Sequence, residues 1–235
     1  MANFYLYIQI LLFYFALAAG LFYLAGRRNE WAVKRALWKK YIVYFFLVFL
    51  VMFVFYAGPL PTLGFFIILQ AVAVVEWWLT SRQLRLSVQL ISGGILSIVL
   101  VTPYFSFPLQ EEFLSFYFLV IIFDGFSQAF GQWLKGPKMI PSVSPNKTWS
   151  GFIGGWMMVV VARYFLVDFG LEIGEITLYS FVALIGDLLA SGFKRVAQIK
   201  DFPTSIPGHG GVLDRFDSFF FVIFVMTLFK CLSYV

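Results

Sequence analysis

Pro61-Thr-Leu-Gly-Phe-Phe-Ile-Ile-Leu-Gln70-Ala-Val-Ala-Val-Val-Glu76-Trp-Trp-Leu-Thr80 carries a single ionisable group, Glu76. As a helix it is apolar on nearly every side, and about 20 such residues cross the roughly 30 Å hydrocarbon core of a bilayer. Seven further stretches of this kind run near 4–25, 41–57, 88–103, 113–133, 151–168, 174–192 and 217–234. Of the 235 residues, 61% are hydrophobic, 21% aromatic and 12% charged, whereas a soluble domain is about 45–50% apolar and about 25% charged. A globule of this size could not hide so much apolar surface in water. The ten-residue alternation of a membrane barrel is absent. The expected fold is therefore all-α: a polytopic integral membrane protein of about eight transmembrane helices, with residues 1–235 forming one transmembrane domain. The start, Met1-Ala-Asn-Phe4, has no basic residue, and Phe4 to Ala25 exceeds the apolar core of a leader, so the first stretch reads as a retained span. The single Cys231 permits no intrachain disulfide or cysteine metal site and reads as an apolar filler.

Basic residues fall in alternate loops. The first loop holds Arg27, Arg28, Lys34, Arg35, Lys39 and Lys40, and the third Arg82 and Arg85. The fifth holds Lys135, Lys138 and Lys147, and the seventh Lys194, Arg195, Lys200 and Arg215. Loops near 58–60, 104–112 and 169–173 hold none, carrying Glu111, Glu112 and Glu172 instead. An excess of Lys and Arg marks the cytoplasmic side, which puts the odd loops inside and both termini outside. Arg163 and Lys230, near the outer ends of their spans, would have to snorkel. The net charge of +5 fits anionic lipid and loop orientation. No basic stripe with interleaved exposed aromatics offers a nucleic-acid surface. Arg27 to Lys40, with Trp31 and Trp38, reads either as an interfacial segment or as a basic stop-transfer loop. The fourth span is short and contains Gly93-Gly94, which suits a tilt, a break or close packing.

Ionisable groups inside spans are costly and are candidates for function. Four occur: Glu76, Asp124, Asp187 and Arg163. Asp124 shares a helical face with Gln128. Asp187, Ser191, Lys194 and Arg195 fall at i, i+4, i+7 and i+8, so one face offers a carboxylate, a hydroxyl and two cations. The plainer reading of that face is an Asp paired with a cation at the helix exit. Lys200-Asp201-Phe-Pro-Thr-Ser-Ile-Pro207-Gly208-His209-Gly210-Gly211-Val-Leu-Asp214-Arg215-Phe216-Asp217 is more specific. Gly208, Gly210 and Gly211 let the backbone approach a ligand and aim N–H groups at phosphate. Asp214 and Asp217, three apart, suit a hard cation such as Mg²⁺, which binds through one or two carboxylates plus phosphate oxygens. Either aspartate alone would read as a helix cap. Lys194, Arg195, Lys200 and Arg215 supply charge for phosphate oxygens. His209, between glycines, reads as a phosphate-orienting or loop-fixing residue rather than a general base. No nucleophile–base pair points to a covalent intermediate.

Ser191-x-Phe-Lys194-Arg195-x4-Lys200-Asp201, followed by Pro207-Gly-His-Gly-Gly-x-x-Asp214-Arg-Phe-Asp217, resembles the signature of the phosphatidate cytidylyltransferases, or CDP-diacylglycerol synthases. Ser144-Pro145-Asn146-Lys147-Thr148-Trp149-Ser-Gly151-Phe-Ile-Gly154-Gly155 is similar to the family's Ser-Pro-x-Lys-Thr-Trp segment and the Gly-rich helix after it. Asp124 with Gly131 parallels an Asp-Thr-x-Ala-Tyr-x-x-Gly run, and Glu76-Trp77 weakly resembles a Glu-aromatic pair in an earlier span. The likeness covers residues 120 to 220 and hardly touches the first hundred, so residues 1–110 are divergent helices and 111–235 the catalytic part. Gly125, Ser127 and Gln128 replace the usual Thr, Ala and Tyr; Ser150 and Ala190 each replace a common Glu; Pro203 replaces a small residue. These departures bear on the lipid acceptor and leave the phosphate and metal elements intact.

The resemblance implies that CTP and phosphatidate, or a related lipid phosphate, give CDP-diacylglycerol and pyrophosphate for phospholipid biosynthesis. A phosphate is already nucleophilic at neutral pH, so positioning and charge neutralisation would carry the catalysis. On this likeness Asp187, Asp214 and Asp217 would hold Mg²⁺, with Asp124 and Asp201 as further ligands and a second cation conceivable. Lys194, Arg195, Lys200 and Arg215 would hold the triphosphate, with Ser191, Gly208, His209, Gly210 and Gly211 lining its site. Ser144, Lys147 and Thr148 would take a phosphate on the lipid side. The site would face the cytoplasm, with a cleft open to lipid, and a homodimer is carried over from the family. The rivals are a CTP-dependent polyprenol or lipid kinase moving the γ-phosphate, and a catalytically inactive membrane scaffold. A transporter is disfavoured, because it would keep its charges at the bilayer midplane.

Overall fold

The computed structural model of the chain describes residues 2–26, 31–104, 110–165, 170–203, 205 and 210–233. Its elements are α1 (Ala2–Gly26), α2 (Trp31–Tyr56), α3 (Pro59–Ser81), α4 (Leu86–Val101), α5 (Gln110–Leu134), β1 (Lys138–Ile140), β2 (Ser144–Thr148), α6 (Trp149–Phe165), α7 (Ile173–Val196) and α8 (Leu213–Ser233). Over the described residues, each apolar stretch read from the sequence falls largely on one helix. Among the described residues, four segments are long and apolar enough to cross a membrane: Pro59–Ser81, Leu86–Tyr104, Phe113–Leu134 and Ile173–Val196. Tyr5–Gly20 and Tyr41–Tyr56 are shorter apolar stretches. This is a helical membrane protein.

Two local readings differ from the sequence expectation, and a third is narrowed to one of its alternatives, close packing. The segment from Trp31 to Lys40 continues α2 as helix, because it contains neither Gly nor Pro and is rich in strong helix formers. The interval 134–150 is no plain loop: β1 and β2 pair antiparallel, Lys138 opposite Thr148 and Ile140 opposite Ser144, with a bulge between. Pro141 turns the ribbon, and Pro145 sits in β2, which among the described residues is paired on one side only, where a missing N–H costs little. The fourth span stays unbroken at Gly93-Gly94. Gly93 meets the Trp77 indole so closely that an added Cβ would lie 2.8 Å from its ring. Trp77 Nε1 donates to Ser92 Oγ at 3.0 Å on the same contact.

The chain divides into two compact units, each made of two segments: Met1–Leu50 with Tyr117–Ser180, and Val51–Phe116 with Phe181–Val235. The core of the first unit contains Leu11, Tyr14, Phe118, Leu119, Phe123 and Val159. Tyr7 meets Phe118 edge-on at 5.2 Å, and Phe123 meets Phe152 at 5.4 Å. In lipid, helices associate by close packing rather than by hiding oil from water, which favours small residues at crossings. Gly151 and Gly155, four apart on α6, meet Ser127 and Phe123 of α5, and Gly131 of α5 faces Thr148 and Gly151. Arg163 does more than snorkel: its Nε donates to the Leu171 carbonyl at 2.6 Å and its Nη2 to Glu172 at 2.8 Å.

In the second unit α3 packs on α4 and α8, and α4 packs on α8. Phe66 of α3 is its aromatic hub, 6.0 Å from Phe55, 5.6 Å from Phe113 and 6.1 Å from Phe219. Gly58 reverses the chain between α2 and α3 at φ +112°, a conformation that L side chains rarely adopt. Pro59 then starts α3 where its missing N–H costs nothing. Cys231 is exposed on α8 rather than packed.

Candidate active site

The polar centre of the second unit begins with a helix that lacks a cap of its own. Val212 holds the cap position of α8, accepting from the N–H groups of Arg215 and Phe216, both at 3.0 Å. An apolar side chain there cannot satisfy the helix's first N–H groups. Glu76, 1% exposed on α3, does so instead. Val212 N–H donates to Glu76 Oε1 at 2.7 Å and Leu213 N–H to Oε2 at 2.8 Å. A carboxylate at the positive end of a helix is also favoured by the helix dipole.

Asp214 is the second hub. Its Oδ1 accepts from Lys194 Nζ at 2.5 Å, with the side chains 5% and 10% exposed. Its Oδ2 accepts from the N–H groups of Phe202 at 2.8 Å and Gly211 at 3.0 Å. Phe202 stacks on Phe193 at 6.1 Å, and Lys194 Nζ lies 5.4 Å from the Phe202 ring. Phe202 and Gly211, from the described parts of the connection between α7 and α8, are thereby both held on Asp214. α7 ends in a Schellman turn: Gln198 N–H donates to the Arg195 carbonyl (3.1 Å) and Ile199 N–H to that of Lys194 (2.9 Å). Gln198 takes φ +56° there, although it is not glycine.

These contacts revise two expectations. Gly211 aims its N–H at Asp214 rather than outward at a phosphate, because the buried carboxylate is the nearer acceptor. Gly210, at φ +78°, is needed for the turn and because a Cβ would collide with Asp214 Oδ2. Lys194 is buried against Asp214, while Arg195, Lys200, Asp201 and Arg215 are exposed. Arg195 Nη1 donates to the Ile199 carbonyl of its own turn at 3.2 Å. Gly208 and His209 lie outside the described residues.

Asp187 and Asp217 are half-buried on α7 and α8. The helices cross closely beside them: a Cβ on Gly186 would lie 3.0 Å from the Asp217 carbonyl oxygen. Ser191 Oγ donates to Asp187 Oδ1 at 3.2 Å, the i to i+4 contact expected of that face. Asp217 Oδ1 accepts from Ser218 N–H at 2.7 Å. Among the described residues, no three His, Cys, Asp or Glu side chains gather as a ready metal cluster. Two carboxylates and a hydroxyl remain an all-oxygen set, which suits a hard cation completed by phosphate oxygens.

In the first unit Thr148 is buried and caps α6. Gly151 N–H donates to Thr148 Oγ1 at 3.1 Å, and Ser150 Oγ lies 3.1 Å from the same oxygen. Gly136 N–H donates to Ser150 Oγ at 3.1 Å, tying the ribbon to the helix start. Ser144 and Lys147 are half-buried on β2, and Asp124 is half-buried on α5. The residue the sequence reading left without a role is Glu76. Its signal was there, a lone carboxylate in a span, but its partners lie 136 and 137 residues away.

Residues 109–232 match the Cytidylyltransferase family. Proteins named "Phosphatidate cytidylyltransferase" from Staphylococcus haemolyticus (strain JCSC1435) and Staphylococcus aureus (strain COL) are 41% and 39% identical over 125 residues. That from Staphylococcus epidermidis (strain ATCC 35984 / DSM 28319 / BCRC 17069 / CCUG 31568 / BM 3577 / RP62A) is 38% identical over 125 residues. Each match covers 50% of this chain and 48% of the relative, so the chain spans about half the length of the curated relatives it matches. No solved structure matches. With the family match running over more than half its residues, the chain belongs to the Cytidylyltransferase family.

Proposed function

We propose that the chain transfers the cytidylyl group of CTP to phosphatidate, giving CDP-diacylglycerol and pyrophosphate for phospholipid synthesis. The observation that carries this is the knitting of the signature stretch: Asp214 gathers Lys194, Phe202 and Gly211 into one polar cluster. Family membership and the relatives' names support the chemistry. In this reading all eight helices cross the membrane and the basic loops face the cytoplasm, where CTP is found.

A phosphatidate oxygen attacks the α-phosphorus of CTP, the bond to the β-phosphate oxygen breaks, and pyrophosphate leaves with that electron pair. Phosphate needs no strong base, so the residues' work is to position and to neutralise. Arg195, Lys200 and Arg215, all exposed, take the triphosphate oxygens. Thr148 serves by capping α6. Asp187 and Asp217 would hold Mg²⁺, which when bound would neutralise phosphate charge. A cation at Asp214 would have to displace the Lys194 ammonium from Oδ1, which makes Asp214 better suited to anchoring; Asp124 and Asp201 are further oxygen donors. A homodimer is part of the proposal, and crosslinking in mild detergent that gives only monomer would count against it.

The test is purified protein with phosphatidate, Mg²⁺ and CTP labelled separately at the α and γ phosphates. Label from the α position in the lipid, with pyrophosphate released, is the expected result. Label from the γ position would make the protein a lipid kinase, and no transfer with CTP still bound would point to another acceptor or to a scaffold. Asp217→Asn should lose most activity and raise the Mg²⁺ requirement; full activity with unchanged Mg²⁺ dependence would remove Asp217 from the metal site.

A further inference from the structure

We infer that Glu76 is a positioning residue for the transfer reaction, fixing through the first N–H groups of α8 where Asp217 and the Gly210-Gly211 turn stand. The inference rests on the cytidylyl-transfer reading above. The hydrogen bonds of Glu76 go to backbone N–H groups of Val212 and Leu213, neither of them assigned to substrate. It holds Val212 and Leu213 with both carboxylate oxygens, at 2.7 and 2.8 Å, from a side chain that is 1% exposed. Burying a carboxylate carries a desolvation cost, whereas a local Ser, Thr or Asn in place of Val212 would cap α8 without one. What a local cap cannot do is tie the helix start to another helix.

The tie has a defined reach. Asp217 lies four residues beyond Leu213, one helical turn on, so any slide or rotation of the first turn carries Asp217 with it. Gly211 precedes Val212, and its Cα stands so close to Glu76 that a Cβ would overlap the carboxylate. Gly211 in turn gives its N–H to Asp214, whose other oxygen holds Lys194. One carboxylate on α3 thus sets the height of α8, and Asp214 holds Phe202 and Gly211 beside it. Displacements near 1 Å cost reactions that depend on alignment about 100-fold.

Glu76→Gln, Glu76→Ala and, as a control, Leu69→Ala are compared with the unaltered protein by α-labelled CTP transfer per folded molecule and by thermal unfolding in detergent. Leu69 is buried on the same helix and plays no part in the site. Glu76→Gln keeps one acceptor oxygen and should lose at least about tenfold in kcat, and Glu76→Ala about 100-fold, while KM for CTP changes less than threefold. Leu69→Ala should lower the unfolding temperature with kcat unchanged. Glu76→Gln with the kcat of the unaltered protein would overturn the inference. Equal kcat losses in Leu69→Ala would do the same, as would a Glu76→Gln chain that yields no folded protein when Leu69→Ala does. An unaltered chain that transfers no label would overturn the cytidylyl-transfer reading, and this inference with it.

Discussion

Replacing Lys194 by Met removes the cation from a buried pair. Lys194 Nζ lies 2.5 Å from Asp214 Oδ1, with side chains 10% and 5% exposed. Breaking such a pair from one side costs about 3–5 kcal/mol, because a charge is left buried without its partner. Asp214 Oδ2 keeps its two N–H donors in the variant, which places the loss near the lower bound, about 3 kcal/mol. Asp214→Asn strands the ammonium instead, at a similar cost of about 3 kcal/mol. The double variant buries no unpaired charge and keeps a carbonyl oxygen for Phe202 and Gly211, so it should lose no more than either single variant. The coupling is therefore about 3 kcal/mol, far above the few tenths expected of independent sites. In detergent, each single variant should unfold roughly 6–12 °C lower, at about 2–4 °C per kcal/mol for a chain of this length. Losses that simply add, with the double variant falling twice as far, would refute the pairing.

Gln198→Gly should stabilise the protein by about 1 kcal/mol, since Gln198 holds φ +56° where glycine pays no steric cost, and thermal unfolding reads the gain. Thr148→Ala should lose about 1 kcal/mol with the α6 cap, and Thr148→Ser should recover most of it. Gly155→Ala should cost about 1–3 kcal/mol, because its Cβ would press on Ser127 Oγ and the Phe123 carbonyl. Ser127→Ala in the same chain should return only part of that loss, the backbone contact remaining.

The helices were legible because a helix apolar nearly all round announces itself by length and composition, as Pro61 to Thr80 does within α3. The contact of Ser191 with Asp187 was legible too, since a spacing of four fixes neighbours on a helix. Partners joined across a loop were not. Lys194 and Asp214 are 20 residues apart, with no period to connect them, so each looked available for phosphate or metal. Gly211 carried the composition of a phosphate cradle, but its N–H direction depends on a carboxylate three residues later. The ribbon at 138–148 was hidden by Pro141 and Pro145, which read as loop until the register is seen.

The long reach from Glu76 to α8 also orders the making of the molecule. Residues 51–116 of the second unit are synthesised before the 64-residue interval assigned to the first, and residues 181–235 after it. Throughout that interval Glu76 waits on α3 without the N–H groups of Val212 and Leu213 that will hold it. A nascent chain stopped before residue 212 would carry a solitary acid in an apolar helix, a form that hydrocarbon tolerates poorly. Arrival of α8 ends that exposure, so the making of α8 and the settling of α3 become one event.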